Sequence, residues 1–318
     1  MRRRYNLTYL MLAYAVLLGL MPLMVGVDAQ AQIAFTSEKI HTVNIYMIDP
    51  NGRNLRRLTN NRWADDFLSW SPDGKRITFA AQTNRSWDIY VMDIDDGKSR
   101  NLTNSHQDEW EPSWSPDGKR IAFASDRERR SGIYVMDANG RNIQQLTGSH
   151  RRTDRYPVWS PDGKRIAFAS HRGAHWDIHV MDADGGKSKN LTGSLRDNWA
   201  PSWSPNGKRI AFTSAPKDGD IDIYVMDADG QNIQNLTNHP AADKFPSWSP
   251  NGRRIAFASD RDGNWEIYLM DDDGENPQNL TNSSFGDESH PAWFPDGSAA
   301  EPVRKAFRMW GWLKQVVR

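Results

Sequence analysis

One phrase recurs six times along the 318 residues, and each copy is centred on a tryptophan. A typical copy reads PVWSPDGKRIAFAS, and successive tryptophans stand 44 or 45 positions apart. Self-similarity with a period in the forties is typical of propeller blades or of arrays of helical repeats. The six tryptophans are Trp70, Trp114, Trp159, Trp203, Trp248 and Trp293.

The apolar runs inside each copy favour strands over helices. "RIAFAS" and "IYVMD" are short, rich in β-branched and aromatic residues, and bounded by turn residues. Ser-Pro-Asp-Gly places proline and glycine where a tight turn needs them. Each copy therefore predicts four strands, which we call A (around PSWS), B (RIAFAS), C (IYVMD) and D (NLT).

The sixth copy ends at Pro-Asp-Gly, and its missing strands lie at the other end of the chain. Residues 32–37, 44–49 and 56–59 match strands B, C and D and have no strand A before them. Joining the two ends completes one blade and leaves no free sheet edge. The sequence thus predicts an all-β, six-bladed β-propeller whose last blade is closed by C-terminal strand A pairing with N-terminal strands B, C and D.

The motif W-S-P-D-G-K-R-I-A-F-x-S, followed by I-Y-V-M-D-x-D-G and L-T, resembles the WD40-like repeat of the TolB-type six-bladed propellers. The resemblance covers residues 32–296. TolB has a separate α/β domain before its propeller, and we expect this chain to lack it. The resemblance implies protein–protein contact through a propeller face, with an envelope protein or lipoprotein as partner.

Residues 1–31 differ from the repeats. A basic start, an apolar run over residues 10–27 and an exit with Ala29 and Ala31 form the pattern of a secretory signal peptide. An uncleaved membrane anchor is the alternative, because eighteen apolar residues are just long enough to span. We expect an exported protein, periplasmic or at the cell surface.

Residues 297–318 form a basic tail outside the repeat. Val303, Phe307, Trp310, Leu313 and Val317 follow helical spacing among arginines and lysines. A basic amphipathic helix can contact an anionic membrane surface. The alternatives are a helix packed under the propeller and a poorly ordered extension.

Composition narrows the function classes. The chain has no cysteine, which excludes disulfides and thiolate sites, and its formal net charge of zero gives no sign of nucleic-acid binding. Gly-Lys-Ser at Gly97 and Gly186 lies in predicted turns and not in a phosphate loop. His171 and His175 share one loop, and we weighed a metal site there. We expect a monomer with no catalytic residue, no metal and no cofactor.

Chain direction divides the propeller into two faces. The A–B and C–D turns share one face, the turn face, and repeat almost verbatim. The B–C loops and D–A crossovers share the opposite loop face, where the copies differ and where function is therefore expected. Acidic and aromatic residues recur there before each strand A. The predicted partner-binding residues are Asp66, Asp108, Glu109, Trp110, Asp154, Tyr156, His171, His175, Asp197, Trp199, Asp243, Phe245, Asp287, Glu288 and His290.

The main interpretation is a non-enzymatic binding scaffold in the cell envelope. A small ligand or glycan is a further candidate for the same face. The alternative is a lyase or hydrolase that processes a glycan or peptide at the channel mouth. For each residue the structural interpretation also stays open: the aromatic side chain caps a blade, and the acid bonds nearby backbone or arginine.

Overall fold

A computed structural model describes residues 32–39, 42–83, 86–128, 130–148, 152–193, 196–216, 219–283 and 286–295. The predicted signal peptide and the basic tail lie outside these residues. The described part of the chain contains 24 strands in six four-stranded sheets and no helix. Within it, accordingly, no helix meets the length and apolarity that a membrane crossing requires.

Five blades are built from consecutive strands, ordered A to D from the inside of the ring outwards. Blade 1 contains β4 (Asp65–Trp70), β5 (Arg76–Thr83), β6 (Ser86–Asp93) and β7 (Ser99–Asn101). Blade 2 contains β8 (Glu109–Trp114), β9 (Arg120–Ser125), β10 (Gly132–Asp137) and β11 (Gln144–Gln145). Blade 3 contains β12 (Thr153–Trp159), β13 (Arg165–His171), β14 (Trp176–Asp182) and β15 (Lys189–Asn190).

Blades 4 and 5 repeat the pattern. Blade 4 contains β16 (Asp197–Trp203), β17 (Arg209–Ala215), β18 (Asp222–Asp227) and β19 (Gln234–Asn235). Blade 5 contains β20 (Asp243–Trp248), β21 (Arg254–Ser259), β22 (Glu266–Asp271) and β23 (Gln278–Asn279).

The sixth blade, the split blade, joins both ends of the described chain. Its strands are β24 (Asp287–Trp293), β1 (Ile33–Lys39), β2 (Thr42–Ile48) and β3 (Arg56–Arg57). β24 pairs antiparallel with β1, so that Ile33 faces Trp293 and Glu38 faces Asp287. The amide of Phe294 extends this pairing by donating to the Gln32 carbonyl at 2.7 Å. The predicted six-bladed ring and its closure are confirmed.

The core lies between neighbouring blades. Ile121 and Phe123 of β9 are completely buried against blade 1, whereas Ala122 and Ala124 of the same strand pack against blade 3. A strand alternates its side chains between the two faces of a sheet. Each blade therefore presents a bulky face to one neighbour and a shallow face to the other, as the "IAFA" pattern indicates.

The invariant turn and strand-D residues have local structural roles. Ser115 Oγ accepts the Arg120 amide at 2.9 Å and donates to Asp117 Oδ1 at 2.6 Å, which fixes the Ser-Pro-Asp-Gly turn. Gly118 in that turn has φ of 69°, where glycine carries no steric penalty. Thr237 of the Asn-Leu-Thr motif accepts the Ile223 amide at 3.1 Å and donates to Asp222 at 2.9 Å. The repeated motifs are therefore explained by folding.

Candidate binding surface at the loop-face channel mouth

Every strand A is interrupted by a β-bulge three residues before its core tryptophan. The residue there has a positive φ, between 49° and 58° in all six blades. Such a backbone conformation is strained in residues with bulky side chains, and strain of this kind concentrates at functional sites. The six bulge residues are Phe67, Glu111, Tyr156, Ala200, Phe245 and His290.

Four of these side chains meet around the axis of the ring and form the channel cluster: Phe67, Tyr156, Phe245 and His290. The His290 ring lies 4.4 Å from that of Phe67 and 4.0 Å from that of Phe245, between ring centroids. Tyr156 of blade 3 and Phe245 of blade 5 approach to 6.4 Å past blade 4, which contributes only Ala200. Residues from non-adjacent blades can meet only inside the ring, so the cluster occupies the channel.

The charged groups beside the channel cluster are paired. His290 Nδ1 lies 2.8 Å from Asp66 Oδ1. Burial raises the pKa of the Asp66 carboxyl, but the charge and hydrogen bond of His290 outweigh burial, so the pKa lies below its usual range. Glu111 accepts Arg155 NH2 at 2.8 Å and the Tyr156 amide at 2.6 Å. Arg155 in turn lies over the Trp110 ring, 4.2 Å from its centroid.

Four of the predicted acids lie beneath the surface. Glu109, Asp154, Asp243 and Glu288 occupy the fifth position before the core tryptophan and are at most 1% exposed. Each accepts from a serine or arginine of the protein itself; Arg127 Nε, for example, lies 3.0 Å from Glu109 Oε1. Burial raises the pKa of Glu109, and burial with the neighbouring Glu266 raises that of Glu288 to about 8. A partner cannot reach these acids in the closed propeller.

The acids one position earlier are half-buried or exposed and cap neighbouring strands. Asp108, Asp197 and Asp287 accept the backbone amides of Trp87, Trp176 and Trp265 at 2.9, 2.9 and 3.0 Å. These three contacts occur at alternate blade junctions. At each of these three junctions a half-buried tryptophan therefore lies next to an aspartate carboxylate on the loop face.

The histidines of the shared loop do not converge on a metal site. His175 Nδ1 lies 3.7 Å from Asp197 Oδ1, whereas the His171 ring packs against Trp176 at 5.4 Å. No group of three or more histidine, aspartate and glutamate side chains suited to a metal occurs in the described ranges. Trp199 packs against the blade 3–4 core and is half-buried.

The structure thus joins Asp66, Trp110, Tyr156, Phe245 and His290 into the channel mouth and leaves the other predicted residues around it. The partner-binding residues predicted from the sequence do not include several residues that lie on this surface. A two-blade period would have found the aromatic ones, because aromatic residues recur 89 positions apart in two series: residues 67, 156 and 245, and residues 87, 176 and 265. The omitted residues are Phe67, Trp87, Glu111, Arg155, Trp176 and Trp265.

Comparison with known proteins identifies relatives of this propeller. The TolB beta propeller domain family matches residues 68–199 and 156–306. TolB from Acinetobacter baumannii is 26% identical with a TM-score of 0.73, over 90% of this chain and 71% of that one. A putative TolB from Agrobacterium tumefaciens is 24% identical with a TM-score of 0.67, over 84% of this chain and 100% of that one.

The same fold occurs in a protein named as an enzyme. Kuenenia stuttgartiensis hydrazine synthase has a TM-score of 0.71 at 16% identity, over 83% of this chain and 46% of that one. At this identity the likeness concerns the fold alone. No curated protein matches the chain.

Proposed function

Because the chain belongs to the TolB β-propeller family, we propose that it is a non-catalytic binding propeller that contacts a protein partner of the cell envelope through its loop face. The observation that carries the proposal is the channel mouth. There the six bulge positions hold five different side chains, whereas the turn face repeats one sequence blade after blade. Only the loop face can specify a single binding pose.

The composition of the channel mouth suits a protein partner. Tryptophan, tyrosine and arginine dominate the energetically important centres of protein interfaces, and surrounding charges tune encounter and specificity. Trp110, Arg155 and Tyr156 lie together at the mouth and are half-buried. The Glu111 ion pair holds the Arg155 side chain, which lies over the Trp110 ring, so little conformational freedom of these two side chains is lost when a partner binds.

The local geometry favours binding over chemistry. The His290–Asp66 pair is the acid–base combination at the mouth, and it is enclosed by the rings of Phe67 and Phe245. A general acid or base needs its proton-transfer atom within reach of a substrate. His290 Nε2 is instead buried and has no hydrogen-bond partner among the described residues.

The site of action in this proposal is outside the cytoplasm, periplasmic or at the cell surface. The proposal rests on the signal-peptide pattern of residues 1–31 and on the family. Fractionation of cells that express the full chain should recover it from the envelope compartment, shortened by about 3.5 kDa if the leader is cleaved, since 31 of the 318 residues of a 36.3 kDa chain are removed. A full-length chain in the cytoplasm would contradict this part of the proposal.

Capture from an envelope extract, with residues 32–318 as bait, tests the working face. We expect Trp110→Ala with Trp199→Ala, or Asp108→Asn with Asp197→Asn, to abolish capture of the band retained by the wild type. The matched control changes Lys119 and Lys164 on the turn face to serine and should leave capture intact. Thermal unfolding of each variant shows that the ring is still closed. Loss of capture in the control alone would place the working face on the opposite side.

A further inference from the structure

Strand C carries a tyrosine in every blade except blade 3, where His179 replaces it. In blade 4 the equivalent residue is Tyr224, whose hydroxyl accepts NH1 of Arg196 at 2.5 Å. The His179 ring lies 5.7 Å from that of Phe168, and the Tyr224 ring lies 6.0 Å from that of Phe212, between centroids. The two rings therefore occupy equivalent places, and blade 3 has no hydroxyl oxygen at the end of its ring.

The arginine that donates to this hydroxyl in blade 4 has a counterpart in blade 3. Arg152 stands seven positions before Trp159, as Arg196 stands seven positions before Trp203. Nε of Arg152 and both ring nitrogens of His179 are buried and have no hydrogen-bond partner among the described residues. A buried donor without a partner is costly, and in a native protein it indicates a bound water or ion.

A second arginine approaches the same position from the neighbouring strand. β12 pairs with β13 so that Thr153 faces His171. Arg152 and Arg172 are the next residues outward on these two strands, so the register places them opposite one another. Both act on His179, because burial and then the positive charges of Arg172 and Arg152 lower its pKa to about 4. Like charges in this relation repel, which a bound anion would relieve.

The acids on this side of blade 3 do not pair with the two arginines. Ser170 Oγ donates to Asp154 Oδ1 at 2.5 Å and accepts Arg172 Nε at 2.8 Å, so the serine separates the two charges. The equivalent arginines of blades 2 and 5 instead bind the buried acid of their own blade directly. Within the described part of the chain, neither Arg152 nor Arg172 forms an ion pair with a carboxylate.

We propose that blade 3 binds a phosphate-type oxyanion at this position, held by Arg152, Arg172 and the ring of His179. One oxygen of the anion takes the place that the Tyr224 hydroxyl has in blade 4 and accepts from Arg152. Guanidinium groups match the geometry of phosphate oxygens, and the resulting charge-assisted hydrogen bonds are stronger than neutral ones. A neutral imidazole still carries one N–H, which can donate to the same anion.

Charge and solvent access favour an anion over a water molecule. A water would satisfy Nε of Arg152 but would leave the positive charges of Arg152 and Arg172 facing one another. Arg172 is exposed and its NH2 donates to the half-buried Ser188 Oγ at 3.1 Å, so one side of the site opens to solvent. In blade 4 the position of Arg172 is occupied by Pro216. The site lies on the outer strands, away from the channel mouth, and is independent of the proposed function.

Isothermal titration of the full chain with sodium phosphate, against sodium chloride at equal ionic strength, tests the site. We expect one bound phosphate with a dissociation constant of about 1 mM and a rise in Tm with phosphate. Arg152→Ala removes one charge-assisted contact and should weaken binding about tenfold to a hundredfold. His179→Tyr keeps both arginines but puts a hydroxyl where the anion binds. It should abolish both the heat of binding and the rise in Tm.

Arg196→Ala is the matched control, because Tyr224 already fills the equivalent position in blade 4; it should keep the phosphate response of the wild type. Vesicles of phosphatidylglycerol distinguish two sources of the phosphate group. Co-sedimentation that Arg152→Ala abolishes indicates a lipid headgroup, whereas phosphate binding without co-sedimentation indicates a soluble ligand.

Two outcomes would overturn the proposal. One is a wild-type chain that shows neither heat nor a change in Tm up to about 10 mM phosphate, ten times the expected dissociation constant, and no co-sedimentation that depends on Arg152. A water would then satisfy the buried nitrogens. The other is a His179→Tyr variant that binds phosphate like the wild type.

Discussion

Ile33 pairs with Trp293 across the closing sheet, so the first described strand of the chain and the last one are hydrogen-bonded neighbours. Trp293 also donates from Nε1 to the Ser247 carbonyl at 3.1 Å, which ties the split blade to blade 5. Phe294 packs edge-on against Trp70 of blade 1 at 4.9 Å. β24 and the residue that follows it therefore connect three blades.

Truncation at this strand should destabilise the whole ring. Removal of residues 287–318 takes away β24 and exposes the hydrogen-bonding edge of β1. We expect a sharp fall in Tm, with aggregation, in thermal unfolding followed by circular dichroism. Removal of residues 298–318 leaves every described strand in place and should change Tm little. Equal losses from both truncations would contradict closure through β24.

The threonine of Asn-Leu-Thr should matter for stability through its hydroxyl. Thr237 accepts the Ile223 amide and donates to Asp222, which is 6% exposed. Thr237→Val leaves a buried amide and a carboxylate without these partners and should cost about 1–3 kcal/mol of unfolding free energy. Thr237→Ser keeps the hydroxyl and serves as the control in urea titrations. Equal stability of the valine variant and the wild type would show that the hydroxyl contributes nothing.

The fold could be predicted from the sequence because each repeated position has a local cause. Ser115 fixes a turn, Thr237 caps the start of a strand, and Phe123 with Ala122 sets which blade face is bulky. These causes act within one or two strands, so they can be read from sequence spacing. The position of the missing strand A follows from counting the copies.

The channel mouth could not be predicted in the same way. Asp108 and Glu109 are adjacent acids, yet Asp108 caps Trp87 near the surface while Glu109 is completely buried against Arg127. Side chains alternate between the two faces of a sheet only along a regular strand, so the face of each residue can be predicted from the sequence only there. The bulge at Glu111 interrupts that alternation, and its positive φ has no signature in an ordinary residue type. The meeting of Tyr156 and Phe245 past Ala200 depends on three blades at once.

The core tryptophans should rank among the costliest positions to truncate. Trp203 is 6% exposed, belongs to the core between blades 3 and 4, and lies under Arg165 at 4.7 Å. Trp203→Ala should cost about 3–5 kcal/mol, as for other buried aromatic side chains. Trp63, which is 42% exposed, provides the comparison. Its alanine variant should lose far less in urea unfolding; comparable losses would mean that burial does not set the ranking.

His179 should make the propeller sensitive to acid. It replaces the tyrosine of strand C in blade 3 and is 3% exposed, and neither ring nitrogen has a hydrogen-bond partner among the described residues. Burial, followed by the positive charge of Arg172, lowers its pKa to about 4, although Asp177 acts in the opposite direction. The unfolded chain therefore binds the proton more readily than the folded one.

The sign of the effect follows from this difference. The neutral His179 side chain contributes fully to the free energy of unfolding above its pKa in the unfolded chain, about 6.5. This contribution is lost as pH falls towards 4. With about 1.4 kcal/mol for each pKa unit, the loss is about 3 kcal/mol. His179→Tyr restores the residue of the other blades. In this variant the unfolding free energy, measured between pH 7 and 4, should fall by about 3 kcal/mol less than in the wild type. His106→Tyr, at an exposed loop position, should leave the pH dependence of the unfolding free energy unchanged. If His179→Tyr unfolds with the same pH dependence as the wild type, another group must account for the acid sensitivity.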